Sequence, residues 1–338
     1  MTSSQKVTTA AAFRFAITLL LVNLVILWLI PESPAIYFAS FSVVACLWFM
    51  DFGGTVREKL VAYGLGTLAG AVGVIVGTLA GGNTAFAVIA AFVMVTAFSM
   101  SRVLPGVVPV ASVGPQLGLL LALLTPGDSS HLWVQTAGWI AGSAVAIVAA
   151  LLIFPRRNQV ASPSPTPATK PALVDSMRIG LAVSLAVLIA KLTGVEHGFW
   201  AAAVALCIAS THLRRDDTTK ASIQMTLGAV GGVVIAAVAI YLLPHAAIFV
   251  LLPVAAFWSK YESGHRPLIV QLTYTPFAVF NLTLLQWPQH EALRSLRLVD
   301  VAIGAAVAVI ATWIATTAHR KPAHNEMSAT TSSEIESN

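Results

Sequence analysis

The chain has 338 residues, of which 57% are hydrophobic and only 10% are charged, and its formal net charge is +5. Soluble domains carry about 25% charged residues, so a water-soluble fold of this size could not cover its surface with so few charges. The composition excludes an ordinary soluble protein and predicts that lipid is the main solvent. The basic residues lie in short loops between apolar runs, which argues against a nucleic-acid-binding surface.

Apolar runs of spanning or near-spanning length follow one another along the chain. In the first part they lie at about 13–30, 35–50, 59–80, 84–100, 105–124 and 132–154. They recur at about 177–193, 199–212, 221–243, 246–258, 267–286 and 296–317. A perpendicular helix needs about 20 residues to cross the hydrocarbon core, so it is open whether the short runs 2, 4, 8 and 10 cross fully. The pattern predicts an all-α integral membrane protein with about 12 transmembrane helices.

A polar stretch at 155–175 separates the two sets of runs. Four of its prolines fall within nine positions and favour extended, solvated backbone: Pro163, Pro165, Pro167 and Pro171. We therefore predict a cytoplasmic linker there. The other predicted segments are an N-terminal cytoplasmic segment at 1–12, transmembrane repeats at 13–154 and 176–318, and a disordered Ser-, Thr- and Glu-rich cytoplasmic tail at 319–338.

The two sets of runs resemble each other residue by residue, with an offset between 161 and 164. The matched pairs are Arg14 with Arg178, Glu32 with Glu196, Gly66 with Gly228, Gly70 with Gly232, and Pro115 with Pro276. Six spans in each copy predict two parallel six-helix repeats related by an axis along the membrane normal. The paired GxxxG glycines predict close helix packing, with direct substrate contact as the alternative.

The distribution of basic residues predicts the orientation. If the N-terminus is inside, only Lys191, Arg294 and Arg297 of the 19 lysines and arginines lie on the outer side. Since cytoplasmic loops carry an excess of lysine and arginine, both termini are predicted to be cytoplasmic. The first apolar run is long enough to span and is followed by Pro-Glu-Ser-Pro, so we expect it to be a transmembrane helix and not a cleaved signal peptide.

Prolines interrupt the fifth and eleventh runs at matching places, about ten residues in. A proline frees a backbone carbonyl one turn earlier, and interrupted helices at corresponding positions of two repeats indicate a transport site. The predicted substrate-binding residues at these breaks are Pro115, Gln116, Gln271, Tyr274, Pro276 and Asn281. The alternative is an ordinary tolerated kink. Because the sequence has no nucleophile elbow, P-loop, HExxH or paired CxxC, we expect neither an enzyme nor a cofactor or metal.

Arg297 and Asp300 lie three residues apart in the predicted twelfth helix, and so on one face near its outer end. A guanidinium suits a carboxylate, so Arg297 is a candidate substrate-binding residue and Asp300 a candidate for proton coupling. The alternative is a structural pair near the interface. Asp51 and Glu58 fall at the cytoplasmic boundary, where the sequence predicts a solvated loop.

The segment RIGLAVSLAVLIAKLTGVEHGFWAAAVAL, which begins at Arg178, resembles the fusaric acid resistance/aromatic acid exporter superfamily. There an arginine opens the first helix and a His-Gly-aromatic-Trp turn opens the second. LGTLAGAVG from Leu65, LGAVGGVV from Leu227 and RLVDVAIGA from Arg297 fit the same resemblance. It implies a membrane exporter of small aromatic or other organic acids, which in two-membrane bacteria works with a periplasmic adaptor protein. Larger members also carry a sizeable cytoplasmic domain, in whose place we expect only the linker and the tail.

These observations predict an efflux transporter of small organic acids in the bacterial inner membrane. Because no ATP motif is present, an ion gradient or the membrane potential must drive it, and we expect coupling to proton uptake. The expected partners are the acid, the lipid bilayer and a periplasmic adaptor, with no nucleic acid; assembly into a homo-oligomer stays open. Malate channels of plants resemble the same superfamily, so an organic-anion channel is the main alternative. A non-transporting membrane scaffold is the third.

Overall fold

The structure, a computed structural model, describes residues 3–29, 35–51, 55–125, 129–152, 170–194, 198–211, 215–263 and 267–285, together with Ala306 and Ile310. All regular secondary structure in these ranges is helical, which confirms the predicted all-α class. The predicted tail, most of the predicted linker, and Arg297 and Asp300 lie outside the described residues.

The first half of the chain contains α1 (Ser3–Leu29), α2 (Ala35–Val44), α3 (Val56–Gly81), α4 (Thr84–Met100), α5 (Val108–Ala111), α6 (Val113–Leu124) and α7 (Leu132–Leu152). A π-helical segment, Ala45–Phe49, prolongs α2. The second half contains α8 (Lys170–Thr193), α9 (Phe199–Thr211), α10 (Arg215–Leu242), α11 (Ile248–Tyr261) and α12 (Pro267–Leu285). Helix α8 begins inside the range predicted as linker, with Pro171 in its first turn, where a missing N–H costs no helical hydrogen bond.

Seven helices in the described ranges are long and apolar enough to cross a membrane. The fourth run is among them, since Thr84–Val103 is 20 residues long. Four apolar elements are shorter: Ala35–Phe49, Val108–Leu124, Phe199–Ser210 and Ile248–Tyr261. The twelfth run, 296–317, lies almost wholly outside the described part of the chain. The number of twelve spans and the two-repeat arrangement therefore stay predictions.

The surface of the bundle carries large apolar side chains. Trp28 is 83% exposed, Trp133 74% and Leu152 74%. Conversely, the interior holds charged and polar side chains such as Arg14 and Asn281, each 1% exposed. Extended apolar surface is unfavourable in water but expected in contact with lipid. The helices are those of a multi-pass membrane protein.

The N-termini of α3 and α4 are closed by capping side chains. Thr55 and Glu58 form a capping box, in which the Thr55 backbone N–H donates to Glu58 Oε2 at 2.7 Å and the Glu58 N–H donates to Thr55 Oγ1 at 3.3 Å. The Asn83 side-chain oxygen accepts from the N–H groups of Ala85 and Phe86 at 2.9 and 3.2 Å. Glu58 thus lies in the first turn of α3, where it is half-buried, and not in the loop that the sequence predicts.

Glycines bring α3 against α6 and α10 against α12. A Cβ added at Gly73 would meet the Pro115 carbonyl oxygen and would lie 3.0 Å from the Leu119 nitrogen. In the second half, a Cβ added at Gly232 would lie 2.7 Å from Thr275 Cβ and 3.0 Å from Pro276 Cδ. Small residues allow this approach where no hydrophobic effect drives helices together. The predicted packing role of the glycines is confirmed.

We expect Gly73→Ala to lower the free energy of unfolding by about 1–3 kcal/mol, because the new methyl group must displace backbone of α6. Gly64→Ala, on the same helix, is the matched control: nothing lies within 4 Å of its added Cβ. That change should be neutral or stabilising by up to about 1 kcal/mol, since alanine favours helix over glycine. Unfolding of the purified protein in detergent compares the two, and equal effects would contradict the packing assignment.

The glycine contacts lie within each half, whereas two other helix pairs join the halves to each other. Helix α1 packs along α11, and α4 packs along α8. Between them, side chains of α1, α2 and the π-helical segment meet side chains of α9 and α12. The candidate site lies at this junction.

Candidate functional site

Seven aromatic rings from both halves form a continuous set, which we call the central ring cluster. Its members are Phe15, Phe41, Trp48, Phe199, Trp200, Tyr274 and Phe277. Tyr274 is the junction, because its ring centroid lies 5.3 Å from that of Trp48, 6.0 Å from Trp200 and 5.3 Å from Phe277. The planes in these three pairs meet at 61° to 76°, the edge-to-face arrangement that aromatic rings prefer.

Two members of the central ring cluster are only half-buried. Trp48 and Tyr274 keep accessible surface, whereas Phe15, Trp200 and Phe277 are buried. The Trp48 indole Nε1–H is itself buried and has no hydrogen-bond partner among the described residues. Beside it, Lys260 donates from Nζ to the Trp48 carbonyl oxygen at 2.7 Å. Ring surface and an unused donor therefore lie together next to an ammonium group.

Helix α12 turns two different faces to its neighbours. Tyr274 and Asn281 are seven residues, or two turns, apart and both face the first half. Gln271 and Pro276 instead lie against α10: a Cβ added at Gly228 would be 3.0 Å from Gln271 Cβ. Gln271 also donates to Thr275 Oγ1 at 3.2 Å. Of the predicted α12 residues, only Tyr274 and Asn281 contact the first half in these interactions.

Asn281 joins the halves through hydrogen bonds. Its Oδ1 accepts from Asn23 Nδ2 at 2.7 Å and from Ser40 Oγ at 3.2 Å, and its Nδ2 donates to Ser40 Oγ at 3.0 Å. All three side chains are at most 1% exposed. Polar groups of this kind hold helices together in lipid, where the alternative is an unsatisfied group.

Replacing Asn281 by leucine should lower the free energy of unfolding by about 1–2 kcal/mol, because it leaves the Asn23 amide buried without its partner. Asn23→Leu should do the same, and the double variant should lose less than the sum of the two single changes. Thr283→Val is the control, since Thr283 donates to Val279 O within its own helix and should add independently to Asn23→Leu. Strict additivity of Asn23→Leu and Asn281→Leu would contradict the contact.

The structure changes the interpretation of the two prolines. The fifth span is divided, since α5 ends at Ala111 and α6 begins at Val113, so Pro115 lies in a first turn where its missing N–H costs nothing. The eleventh span has no such division, because α12 continues through Pro276. The predicted break there is wrong. Pro276 packs against Gly232 of α10, and the absence of a side chain at Gly232 makes room for the proline ring.

The carbonyl groups that the prolines free lie against glycines. A Cβ added at Gly66 would be 3.4 Å from the Ala111 oxygen, and one added at Gly232 would be 3.1 Å from the Leu272 oxygen. Such contacts between a carbonyl and a glycine Cα–H are common at close helix crossings. Gln116 is 6% exposed on α6. Substrate binding by Pro115, Gln116, Gln271 and Pro276 stays a prediction.

A second group of side chains, which we call the buried charge cluster, comprises Arg14, Asp51, Lys59 and Tyr63. Arg14 Nη2 lies 2.6 Å from Asp51 Oδ2, and Lys59 Nζ lies 3.9 Å from Asp51 Oδ1. Tyr63 Oη donates to Asp51 Oδ1 at 3.2 Å. The Asp51 side chain is only 3% exposed, so its predicted place in a solvated loop is wrong. Two cations and a phenol, brought by α1 and α3, surround it.

Arg14 and its predicted repeat partner differ in how they are satisfied. Arg178 donates from Nε and Nη2 to Asp175 Oδ1 at 3.0 and 2.7 Å, and Nη2 also donates to the Ala209 carbonyl oxygen. Arg14 uses Nη2 for Asp51, but its Nε and Nη1 are buried without a partner in the described ranges. Equivalent positions in the predicted repeat thus have different electrostatic surroundings.

Sequence reasoning missed several of these residues. The sequence analysis uses Arg14 only as the repeat partner of Arg178, although a charged residue inside an apolar span itself indicates a functional site. Trp200 enters the sequence analysis only through the His-Gly-aromatic-Trp turn, and Asn23, Ser40 and Trp48 give no comparable signal within their apolar runs.

An apolar cavity of about 520 Å³ lies between α3, α4 and α5. Leu65, Phe98 and Leu104 are among its lining residues, and Ser101 and Ser112 are the polar ones. A site for an organic anion is favoured by a positive group, and none of these lining residues is charged. We therefore place the candidate site at the central ring cluster.

The comparisons with known proteins bear on the second half. Residues 185–311 match the model of the family described as fusaric acid resistance protein-like. The matched range includes Trp200, Tyr274 and Asn281, and the family consists of membrane transport proteins. Comparison with curated proteins and with solved structures gives no match. Residues 185–311 of this membrane protein are therefore similar to the fusaric acid resistance protein-like family, which is the resemblance that the sequence predicts.

Proposed function

We propose that the protein exports small aromatic carboxylic acids across the bacterial inner membrane in exchange for protons. The observation that carries the proposal is the central ring cluster, which joins both halves inside a membrane bundle and keeps ring surface accessible at Trp48 and Tyr274. An edge-to-face ring pair contributes about 0.5–1.5 kcal/mol beyond its buried area. A planar aromatic ligand can make several such contacts there.

Positive groups beside the rings supply the second element of recognition. Lys260 and Arg14 are 8% and 1% exposed, and each lies in a helix that contacts the π-helical segment or the helices of the cluster. Buried cations are costly unless an anion accompanies them. A carboxylate attached to the ring would add a second negative charge near Arg14, whose partner Asp51 also lies 3.9 Å from Lys59 Nζ.

A rocking mechanism fits the way the halves are packed. In the predicted repeat, the α3–α6 contact corresponds to α10–α12, and the α1–α11 contact corresponds to α8–α4. Both pairs of contacts are extensive, which supports two repeats related by an axis along the membrane normal. In this proposal the tight glycine contacts keep each half rigid, and the junction between the halves opens alternately to the two sides. The excess of lysine and arginine in the predicted inner loops supports an orientation with both termini inside.

Flux through reconstituted vesicles tests the proposal. The purified chain is inserted into liposomes, and uptake of labelled benzoate is followed at pH 7 and above after a pH step. Protein-free vesicles correct for neutral acid that crosses lipid unaided. With the vesicle interior acidic and the membrane potential clamped, one-to-one exchange of the carboxylate for a proton accumulates benzoate inside by up to about tenfold per pH unit, and this result supports the exporter. Neutral acid that crosses lipid unaided accumulates on the alkaline side instead. Equilibration without accumulation would identify a channel, and uptake no faster than in protein-free vesicles would identify a scaffold; either result overturns the proposal.

A further inference from the structure

Arg14 is a buried cation whose hydrogen-bonding capacity is only partly used. It lies in the candidate span Thr8–Val25 and is 1% exposed. Its Nη2 binds Asp51, while Nε and Nη1 are buried and have no partner in the part of the chain that the structure describes. A buried guanidinium with unsatisfied nitrogens is unfavourable, so the arrangement is stable only if something else completes it.

Asp51 does not serve Arg14 alone. Its carboxylate also lies 3.9 Å from Lys59 Nζ and accepts a hydrogen bond from Tyr63 Oη at 3.2 Å. One negative charge is therefore divided between two cations. This leaves the guanidinium able to attract a second anion while Asp51 fixes its position.

Thr18, one turn after Arg14 in α1, has a second polar group without a hydrogen-bond partner in the described ranges. Residues four apart lie on one face of a helix, about 6 Å from each other. Thr18 is 1% exposed, and its Oγ1 has no partner in the described ranges. Several other helical threonines donate to the carbonyl four residues earlier, as Thr67 does to Tyr63 O at 2.7 Å and Thr78 does to Val74 O at 2.9 Å, although Thr96 Oγ1 is also buried without a partner in the described ranges. Thr18 thus keeps its hydroxyl free on the face that carries Arg14.

We propose that Arg14 and Thr18 form the anion-binding part of the transport site. The carboxylate of the ligand binds Arg14 Nε and Nη1, and Thr18 bonds a polar substituent of the same ligand about one turn further along α1. Asp51 is a positioning residue that holds the guanidinium. Phe15, which follows Arg14 in α1, belongs to the central ring cluster through its contact with Phe277, so this part of α1 adjoins the cluster. The assignment rests on the proposed function, because it places the carboxylate of the exported acid.

Equilibrium dialysis of the full chain in detergent tests the assignment. Wild-type protein should bind benzoate but not benzamide, its uncharged analogue. Arg14→Gln should weaken benzoate binding by at least about thirtyfold, and Arg14→Lys should restore it only in part, because lysine keeps the charge but not the planar fork. Arg57→Gln removes a basic side chain that is exposed and should leave binding unchanged.

Thr18→Val gives a second test that does not depend on removing a charge. Since the hydroxyl has no partner among the residues that the structure describes, its loss should leave the melting temperature of the ligand-free protein unchanged or raised. Binding of 4-hydroxybenzoate should fall about tenfold, while benzoate binding stays as in wild type.

The outcomes separate the two proposals. If wild-type protein binds neither acid, export of such acids fails as the function, and this assignment fails with it. If wild-type protein binds benzoate and Arg14→Gln binds it equally tightly, the assignment of Arg14 is overturned and the function stands. Equal binding of 4-hydroxybenzoate by Thr18→Val and wild type overturns the role of Thr18.

Discussion

Replacing Asp51 by alanine is expected to lower the free energy of unfolding by about 3–5 kcal/mol. The change removes the carboxylate that Arg14 contacts at 2.6 Å and Lys59 at 3.9 Å, and it leaves both cations in a place where their side chains are 1% and 3% exposed. Removing one partner of a buried pair leaves the other charge uncompensated, which costs far more than the net value of the pair. Denaturant unfolding followed by circular dichroism in detergent measures the loss.

The pair of Arg102 and Asp175 is the control for this prediction. Its side chains are 27% and 17% exposed, so water can replace a lost partner. Arg102→Ala should therefore cost no more than about 1 kcal/mol. If Asp51→Ala proves no more harmful than Arg102→Ala, the buried charge cluster does not have the electrostatic role assigned to it.

Tyr274→Leu is expected to reduce benzoate transport at least about tenfold, which corresponds to about 1.4 kcal/mol. The substitution removes the ring that contacts Trp48, Trp200 and Phe277, so the central ring cluster loses its junction and part of its accessible ring surface. Each ring pair contributes about 0.5–1.5 kcal/mol. Initial rates in proteoliposomes, corrected for the amount of folded protein, measure the effect.

Tyr241→Leu is the matched control, because Tyr241 is 80% exposed on α10 and its ring lies at the surface of the bundle. It should transport like wild type. Tyr274→Phe keeps the ring and separates the contribution of the hydroxyl. Equal transport by Tyr274→Leu and Tyr241→Leu would show that substrate does not pass the central ring cluster.

The sequence predicts the helices well because each span depends only on the apolar residues of its own segment. Runs of apolar residues of the right length can form only helices in lipid, since every backbone polar group must be satisfied within the segment. The GxxxG pairs are equally local, and their packing role at Gly66 and Gly232 follows from the absence of a side chain. The start of α8 at Lys170 was less predictable, because Pro171 is compatible with both a linker and a first helical turn.

The partners of individual side chains could not be predicted in the same way. Arg14 and Asp51 are 37 residues apart, and Asn23 and Asn281 are 258 residues apart, so their contacts exist only through tertiary packing. A helix that is apolar all round also gives no sign of which face is turned inward. For this reason Tyr274 and Asn281 were predicted from their nearness to a proline, whereas Trp48 and Trp200 were missed.

Photolabelling tests most directly the central claim that the acid binds between the two halves. Proteoliposomes are irradiated with 4-benzoylbenzoate, a photoreactive aromatic carboxylate, with and without excess benzoate, and the labelled residues are mapped by mass spectrometry. We predict benzoate-protected labels near Thr18, Trp48, Trp200 and Tyr274. Protected labels at Leu65, Phe98 and Leu104, which line the apolar cavity between α3, α4 and α5, with none at the central ring cluster, would contradict the account.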